Sequence, residues 1–362
     1  MNNSVDRFDY KEHVDALYKL VPREFGFHAK SYADFEAWQL AFRPRLREIM
    51  GLTHIEADLR DYCPEAYQVD STDLGGYTRE KWYLKTEPTV PLPFWLLRPK
   101  KATNPLSLVL TPHGHKEPEI YLGIAHNEQE AKAISEGERD IAVQAVREGY
   151  LTILPTMRAF GETIYNPKRE QDKISSCREE LMHGLLVGRT PIGERVWDIS
   201  RLIDWALKRP DVDGGRIAIT GNSGGGMISL FAAACDERIT VAVPSCYFNT
   251  FQKSIGTIKH CECNYIPGIL RLSEMYDIAG LIAPRPFCAI AGRKDEIFPI
   301  ASVGEAFGKL QEIYKVVGAP DLCELFIGEG GHRYYRRGAW PFIRKWFKAG
   351  EKEASAQPYI VR

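Results

Sequence analysis

The sequence predicts an α/β fold built on one mostly parallel, eight-stranded sheet with helices on both faces. Along most of the chain, short apolar runs alternate with helical patterns, and this alternation is typical of β–α–β units. The later apolar runs are uninterrupted, as in strands that are buried on both faces. Two strands that read as an antiparallel pair precede them.

The first 75 residues form a helical extension in this prediction. Between residues 32 and 50, Phe35, Trp38, Phe42 and Leu46 recur at helical spacing, and Gly51 ends the pattern. Pro44 lies inside the pattern, and we expect it to kink the helix or split it in two.

Residues 76–350 are predicted to form a single catalytic domain, followed by a C-terminal tail at 351–362. The connections at 159–192 and 247–284 are too long for simple crossovers and follow inner strands, so we predict that they are lid loops over a site at that sheet edge. The predicted strands are 81–85, 94–97, 106–110, 151–154, 217–220, 239–243, 287–291 and 325–327.

The composition limits the kinds of molecule that the protein is expected to bind. The chain has 362 residues and a net charge of -1, and nucleic-acid and anionic-membrane binders normally carry a basic excess. Its scattered cysteines, the absence of an N-terminal apolar leader and the lack of a membrane-length apolar run predict a soluble, cytoplasmic protein with free thiols. Assembly into a homo-oligomer stays open.

The strongest chemical signal is Gly221-Asn222-Ser223-Gly224-Gly225, which follows an apolar strand and precedes a helical segment. In this context a serine sits on a sharp turn, and the small residues allow the chain to reverse direction. The turn exposes the hydroxyl and directs a helix N-terminus at it. Ser223 is therefore the candidate nucleophile. The alternative is a glycine-rich turn that packs tightly or binds phosphate.

A serine hydroxyl needs a base, and the base needs an orienting carboxylate. With this type of turn, the acid and then the histidine follow the serine in the chain. His332 follows the last strand on a glycine-rich loop and is preferred over His260, which lies inside a long loop. Asp295, just beyond the 287–291 strand, is preferred over its neighbour Glu296.

Two backbone N–H groups are predicted to bind the oxyanion, those of Gly224 and His115. The loop before His115, with His113 and Gly114, is expected to contact substrate. The remaining predicted substrate contacts are Asn222, Tyr265 and Arg158, of which Arg158 has a structural alternative, locking its loop to an acid.

Two short motifs suggest zinc, His113-x-His115 and Cys261-x-Cys263. No carboxylate or cysteine cluster completes a site near the histidine pair, and no second half-site of ligands follows the closely spaced cysteine pair. We therefore predict neither a metal nor a cofactor.

These motifs together resemble the acetyl xylan esterase and dienelactone-hydrolase-like branch of the α/β-hydrolases. The matching pieces span residues 80–350 and include 112–115, 158–162, 193–198, 221–225, 292–295 and 331–332. The resemblance implies the α/β-hydrolase fold and a serine carboxylesterase, often one that acts on acetylated sugars. Dienelactone hydrolases proper use a cysteine nucleophile, whereas this chain has Ser223.

The predicted function is hydrolysis of small acyl esters, acetylated carbohydrates among them, through a triad of Ser223, Asp295 and His332. Two alternatives remain. The same triad could cleave amide or peptide bonds, although 75 N-terminal residues cannot supply the β-propeller usual in oligopeptidases. The chain could also be a non-catalytic binding protein on a hydrolase fold.

Overall fold

The structure is a computed structural model that describes residues 8–102, 104–166, 168 and 175–354, with side chains described up to residue 348. Its strands are β1 Ala66–Asp73, β2 Tyr77–Glu87, β3 Val90–Pro99, β4 Leu106–Leu110, β5 Leu151–Pro155, β6 Val212–Asn222, β7 Val241–Ser245, β8 Phe287–Gly292 and β9 Cys323–Gly328. They form one nine-stranded sheet in the order β1-β2-β3-β5-β4-β6-β7-β8-β9. The strands β1, β2, β3 and β5 pair antiparallel in that order, and β5 to β9 pair parallel.

The predicted α/β-hydrolase fold is confirmed, with one strand more than expected. Each predicted strand has a counterpart in the sheet. The additional strand, β1, lies at the sheet edge inside the segment predicted to be helical, and most of its residues are exposed. Because an exposed edge strand needs no apolar face, the sequence carries no pattern that marks it.

The helices cover both faces of the sheet, as predicted. They are α1 Tyr10–Leu20, α2 Tyr32–Ile49, α3 Leu52–Asp58, α4 Glu128–Ser135, α5 Ile141–Arg147, α6 Cys177–Leu185, α7 Pro191–Leu207, α8 Gly224–Cys235, α9 Ile269–Leu272, α10 Met275–Gly280, α11 Ile300–Val316 and α12 Arg336–Ala354. Pro44 lies within α2 and does not split it, contrary to one expectation. Among the described residues, no helix is long and apolar enough to cross a membrane.

Alternate residues of each inner strand supply two separate cores. In β4, Leu108 and Leu110 belong to the core beneath α2, α3, α7, α8, α10 and α11, whereas Val109 belongs to the core beneath α5 and α12. This period of two places both faces of the strand in apolar surroundings.

The N-terminal extension is part of the larger core. Phe35, Phe42 and Leu46 of α2 are each 1% exposed or less. The helical portion ends at α3, before β1, so it is shorter than the predicted 1–75. At the other end, α12 extends into the predicted tail, and residues 355–362 lie outside the described part of the chain.

Candidate active site

Ser223 sits on the sharp turn between β6 and α8, which we call the elbow (residues 221–225). Its backbone has φ 60° and ψ −118°, a region that costs free energy for a residue with a Cβ. Ser223 is only partly buried and directly precedes the first residue of α8. The hydroxyl therefore lies at the positive end of a helix dipole, where negative charge is stabilised.

The elbow packs against the loop that follows β4. A Cβ at position 221 or 225 would lie 2.3 or 2.0 Å from the carbonyl oxygen of Pro112, closer than any real contact. Glycine at both positions thus lets the β4 loop reach the elbow that carries Ser223. The predicted need for small residues has this physical cause.

Asp295 and His332 are brought together by the ends of β8 and β9. His332 Nδ1 lies 2.8 Å from Asp295 Oδ2, and the two side chains are 18% and 1% exposed. The other carboxylate oxygen accepts hydrogen bonds from the backbone amides of Ile297 and Phe298, at 2.9 and 3.2 Å. The alternative acid Glu296 is exposed and is not the residue that binds His332.

The charge state of Asp295 follows from these contacts. Burial alone would raise its pKa, but the hydrogen bond with His332, the charge of that ring and the two backbone amides outweigh burial and hold the pKa below its usual value. A charged Asp295 accepts a hydrogen bond from the Nδ1–H of His332, which leaves Nε2 as the free basic nitrogen.

Ser223 directly follows β6, and in the sheet β7 lies between β6 and β8. The Ser223 amide donates to the carbonyl of Ser245 at the end of β7, and the Sγ of the following residue, Cys246, lies within 4.8 Å of the Asp295 and His332 ligand atoms. Among the described residues no hydrogen bond joins Ser223 Oγ to His332. Such contacts are often loose before substrate binds, so a side-chain rotation would have to close this one.

The loop that carries one predicted oxyanion donor, the His115 amide, packs against Gly224, whose amide is the other. A Cβ at Gly114 would lie 3.3 Å from the amide nitrogen of Gly224, which shows how closely the β4 loop approaches the start of α8. Neither the Gly224 N–H nor the His115 N–H donates to an acceptor within the described part of the chain. Both are therefore available to a ligand oxygen.

His113 was predicted to contact substrate, and in the structure its ring nitrogens bind backbone groups. It is 2% exposed, its Nδ1 lies 2.7 Å from the carbonyl oxygen of Gly114, and its Nε2 accepts a hydrogen bond from the amide of Met157 at 2.9 Å. Burial lowers the pKa of His113 to about 4, which keeps the ring neutral. Both ring nitrogens of His113 are therefore occupied in joining the β4 loop to the β5 loop, and neither is left to bind a substrate.

Asn222 and Gly114 likewise serve the architecture of the elbow. Asn222 is 1% exposed, and its Oδ1 accepts a hydrogen bond from Ser245 Oγ at 3.1 Å. At Gly114, a Cβ would lie 2.7 Å from the Asn222 carbonyl oxygen. The Oδ1 of Asn222 thus joins two strands, whereas its Nδ2 is buried and has no hydrogen-bond partner among the described residues.

Arg158 has the structural role that the sequence left open, which is to bind its loop to acidic residues. Its Nε and Nη2 each donate to Asp198 at 2.8 Å, and Nη2 also lies 2.7 Å from Glu87. Glu194 is a third carboxylate, 3.5 Å from Nη1. With three carboxylates around it and a side chain only 11% exposed, the guanidinium locks the start of the 159–192 segment to α7.

Tyr265 lines a cavity that none of the elbow residues line. It is 42% exposed, and its hydroxyl donates to the carbonyl oxygen of Ile255 at 3.2 Å. Together with Leu17 and Tyr18 of α1 it lines a cavity of about 300 Å³. The prediction that it contacts a substrate bound at Ser223 is therefore not supported.

His260 lies close to the site, although it is not the base that binds Asp295. Its ring centroid lies 5.8 Å from that of Phe298, which stacks on His332 at 5.9 Å. The 247–284 segment thus reaches the side of the catalytic candidate. The sequence could place His260 only in a long loop, because nothing local indicates which residues of a lid face the site.

Comparisons with known proteins place the chain among hydrolases. A model of the Abhydrolase family matches residues 10–325. YtaP of Bacillus subtilis (strain 168), named as a hydrolase, is 25% identical over 260 residues, which are 70% of this chain and 83% of YtaP. The 4-O-methyl-glucuronoyl methylesterase of Phanerochaete carnosa is 26% identical over 166 residues, 38% of this chain and 40% of that protein.

Solved structures show the same fold. A Bacteroides fragilis structure named as an acetyl xylan esterase superposes with a TM-score of 0.72 at 19% identity, covering 91% of this chain and 84% of the other. A glucuronoyl esterase from Solibacter usitatus gives 0.63 at 13% identity, covering 95% and 98%.

Proposed function

The chain belongs to the Abhydrolase family, and we propose that it is a serine carboxylic-ester hydrolase that works through an acyl-enzyme. Ser223 Oγ attacks the ester carbonyl carbon, and His332 Nε2 takes the serine proton and returns it to the leaving alcohol. Asp295 orients His332, and the amides of Gly224 and His115 bind the oxyanion. Water then attacks the acyl-enzyme with His332 as base.

The observation that carries this proposal is the hydrogen bond of 2.8 Å between His332 Nδ1 and Asp295 Oδ2. A buried, ionised carboxylate on one ring nitrogen leaves the other as the base, which is the arrangement a serine nucleophile needs. A merely structural histidine would not need the serine of a strained elbow at the same edge of the sheet.

For the substrate we propose small carbohydrate esters. The relatives named above suggest two orientations of the ester, one with the sugar as the alcohol, as in acetylated xylan, and one with the sugar acid as the acyl part, as in a glucuronate methyl ester. Cleavage rates for acetylated xylo-oligosaccharides, methyl glucuronate, p-nitrophenyl acetate and aminoacyl anilides would separate these and test the peptidase alternative. Within this proposal the protein is cytoplasmic and its partner is a small ester.

A fluorophosphonate probe tests the nucleophile. We expect one adduct on the wild-type chain, none on Ser223→Ala and normal labelling of Ser135→Ala, which removes an exposed serine on α4. Asp295→Asn should lower kcat by about two to four orders of magnitude while the chain still binds substrate. Intact-protein mass spectrometry and thermal melting of each variant provide the readout and the folding control. An adduct on Ser223→Ala would refute the assignment.

A further inference from the structure

Four potential metal ligands converge beside the elbow. His115 comes from the β4 loop, Cys177 begins α6, and Cys261 and Cys263 lie between β7 and α9. His115 Nε2 lies 3.2 Å from Cys263 Sγ, and Cys263 Sγ lies 3.3 Å from Cys261 Sγ. All four ligand atoms lie within 4.8 Å of one another.

We propose that these residues bind one Zn²⁺ in a tetrahedral Cys₃His site. Zinc–sulfur bonds of about 2.3 Å and zinc–nitrogen bonds of about 2.0 Å place tetrahedral ligands roughly 3.5 to 3.8 Å apart, within the span of this cluster. Three cysteines and one histidine are a known ligand set of structural zinc, whereas Ca²⁺ and Mg²⁺ prefer oxygen ligands. All four positions are filled by protein, so the site is structural.

The surroundings fit thiolate ligands. Arg195, itself 2% exposed, directs Nη2 at Cys177 Sγ from 3.4 Å, and Asn264 Nδ2 lies 3.6 Å from Cys263 Sγ. Zinc with three thiolates and a neutral histidine leaves one negative charge, and the guanidinium faces it. Binding releases the three thiol protons to solvent, with no redox change.

A disulfide is the competing explanation, because two thiols close together can also oxidise. A bond between Cys261 and Cys263 would use two of the four groups and leave Cys177 and His115 beside it without a role. The convergence of a ring nitrogen on the same point as three sulfurs is what favours a metal. The sequence suggested only half of this site, since Cys177 and His115 lie far from the Cys-x-Cys pair along the chain.

The proposed metal would join both lid segments to the oxyanion loop. Cys177 begins the helix inside 159–192, Cys261 and Cys263 belong to 247–284, and His115 carries a predicted oxyanion donor. The His115 ring lies against the elbow, because a Cβ at Gly224 would be 3.2 Å from its Nδ1. Zinc bound there would fix the positions of the two lid segments relative to the elbow.

Metal content of the full, untagged chain tests the proposal. After chelation, reloading with Zn²⁺ and gel filtration, we expect about one zinc per chain by elemental mass spectrometry. The Cys261→Ser/Cys263→Ser variant should fall at least tenfold below that, whereas Cys63→Ser, which removes an exposed cysteine outside the cluster, should keep full zinc content. Full zinc content in the double variant would overturn the site.

Cobalt and thiol measurements make the result independent of how the variants fold. Loading the wild type with Co²⁺ should give thiolate-to-cobalt charge-transfer absorption, and bound metal should protect three thiols from alkylation. No bound metal, with thiol alkylation unchanged by added Zn²⁺, would refute the proposal. A pair of thiols missing from the denatured, unreduced chain would refute it in favour of a disulfide.

Discussion

Burial fixes the protonation of His113, one of the residues that shape the candidate site. A pKa of about 4 means that at neutral pH the ring is neutral and Nε2 can accept the Met157 amide. A protonated ring would have two donors and no acceptor, so that hydrogen bond would be lost. The β4 and β5 loops therefore depend on a histidine that stays out of acid–base chemistry.

The glycine at position 225 is needed for a steric reason that the structure makes quantitative. A Cβ there would lie 2.0 Å from the Pro112 carbonyl oxygen, a backbone atom that can move only with the whole β4 loop. That loop carries the His115 amide. A change at Gly225 would therefore displace a proposed oxyanion donor as well as strain the elbow.

We predict that Gly225→Ala lowers the free energy of unfolding by about 2 kcal/mol or more and abolishes ester hydrolysis, because the β4 loop must shift. The control is Gly308→Ala in α11, where a Cβ meets no atom within 4 Å. Alanine at that helical position should stabilise the chain by about 0.5 to 1 kcal/mol and leave activity unchanged. Urea denaturation and p-nitrophenyl acetate turnover measure both. An active, stable Gly225→Ala enzyme would contradict the packing described here.

At the scale of elements, α10 begins with a buried pair of carboxyl groups. Glu274, 1% exposed, accepts hydrogen bonds from the amides of Phe251 and Met275 at 2.7 Å each. Asp277 accepts from the amides of Glu274 and Phe27. Burial raises the pKa of Glu274 to about 7 and that of Asp277 to about 6, and Arg23, 4.0 Å from Glu274, does not offset it.

A raised folded-state pKa makes this element less stable as pH rises. Between about pH 4.5 and pH 7 the folded Glu274 keeps a proton that the unfolded chain releases, so stability falls across that window. We predict that Glu274→Gln, whose Oε1 can still accept both amides, gains roughly 1 to 3 kcal/mol relative to wild type on going from pH 5 to pH 8. Urea denaturation at the two pH values measures the difference, and Glu312→Gln on the exposed face of α11 is the control. An unchanged difference would show that Glu274 is ionised throughout.

What the sequence could predict at this scale depends on burial. The inner strands could be located because apolar residues on both faces leave uninterrupted runs, as in β4 and β8. β1 could not, since polar residues such as Gln68 and Asp70 satisfy an exposed edge. Pro44 was expected to disturb α2, but the packing of Phe42 and Leu46 in the core supports the helix across it.

At the scale of the whole molecule, the sequence could identify individual candidate residues better than the contacts between residues of distant segments. Ser223, Asp295 and His332 could be proposed because strand order brings the ends of β6, β8 and β9 to one edge. The convergence of His115 with Cys177 could not be predicted from the sequence, because it depends on how long segments of the chain fold over each other. A short motif shows only how residues are spaced along the chain, whereas the contacts of a long loop depend on tertiary packing.

The N-terminal extension supports α8, the helix that begins directly after Ser223. Arg43 Nε donates to the carbonyl of Ala234, and Arg47 Nη1 to that of Cys235, each at 3.0 Å. These carbonyls end α8 and have no partner within their own helix. The extension therefore completes the far end of the helix whose first turn faces Ser223.

We predict that removing residues 1–59 prevents folding, whereas removing 1–21 does not. The longer deletion strips six large side chains from the main core, Phe35, Phe42, Leu46, Met50, Leu52 and Ile55. At about 2 to 5 kcal/mol per large buried side chain, their combined loss is as large as or larger than the 5 to 15 kcal/mol that typically holds a domain together. The shorter one removes α1, which has no buried residue. Soluble yield and thermal melting by circular dichroism distinguish the two. A soluble 60–362 chain with a cooperative transition would mean that the sheet folds independently of the extension.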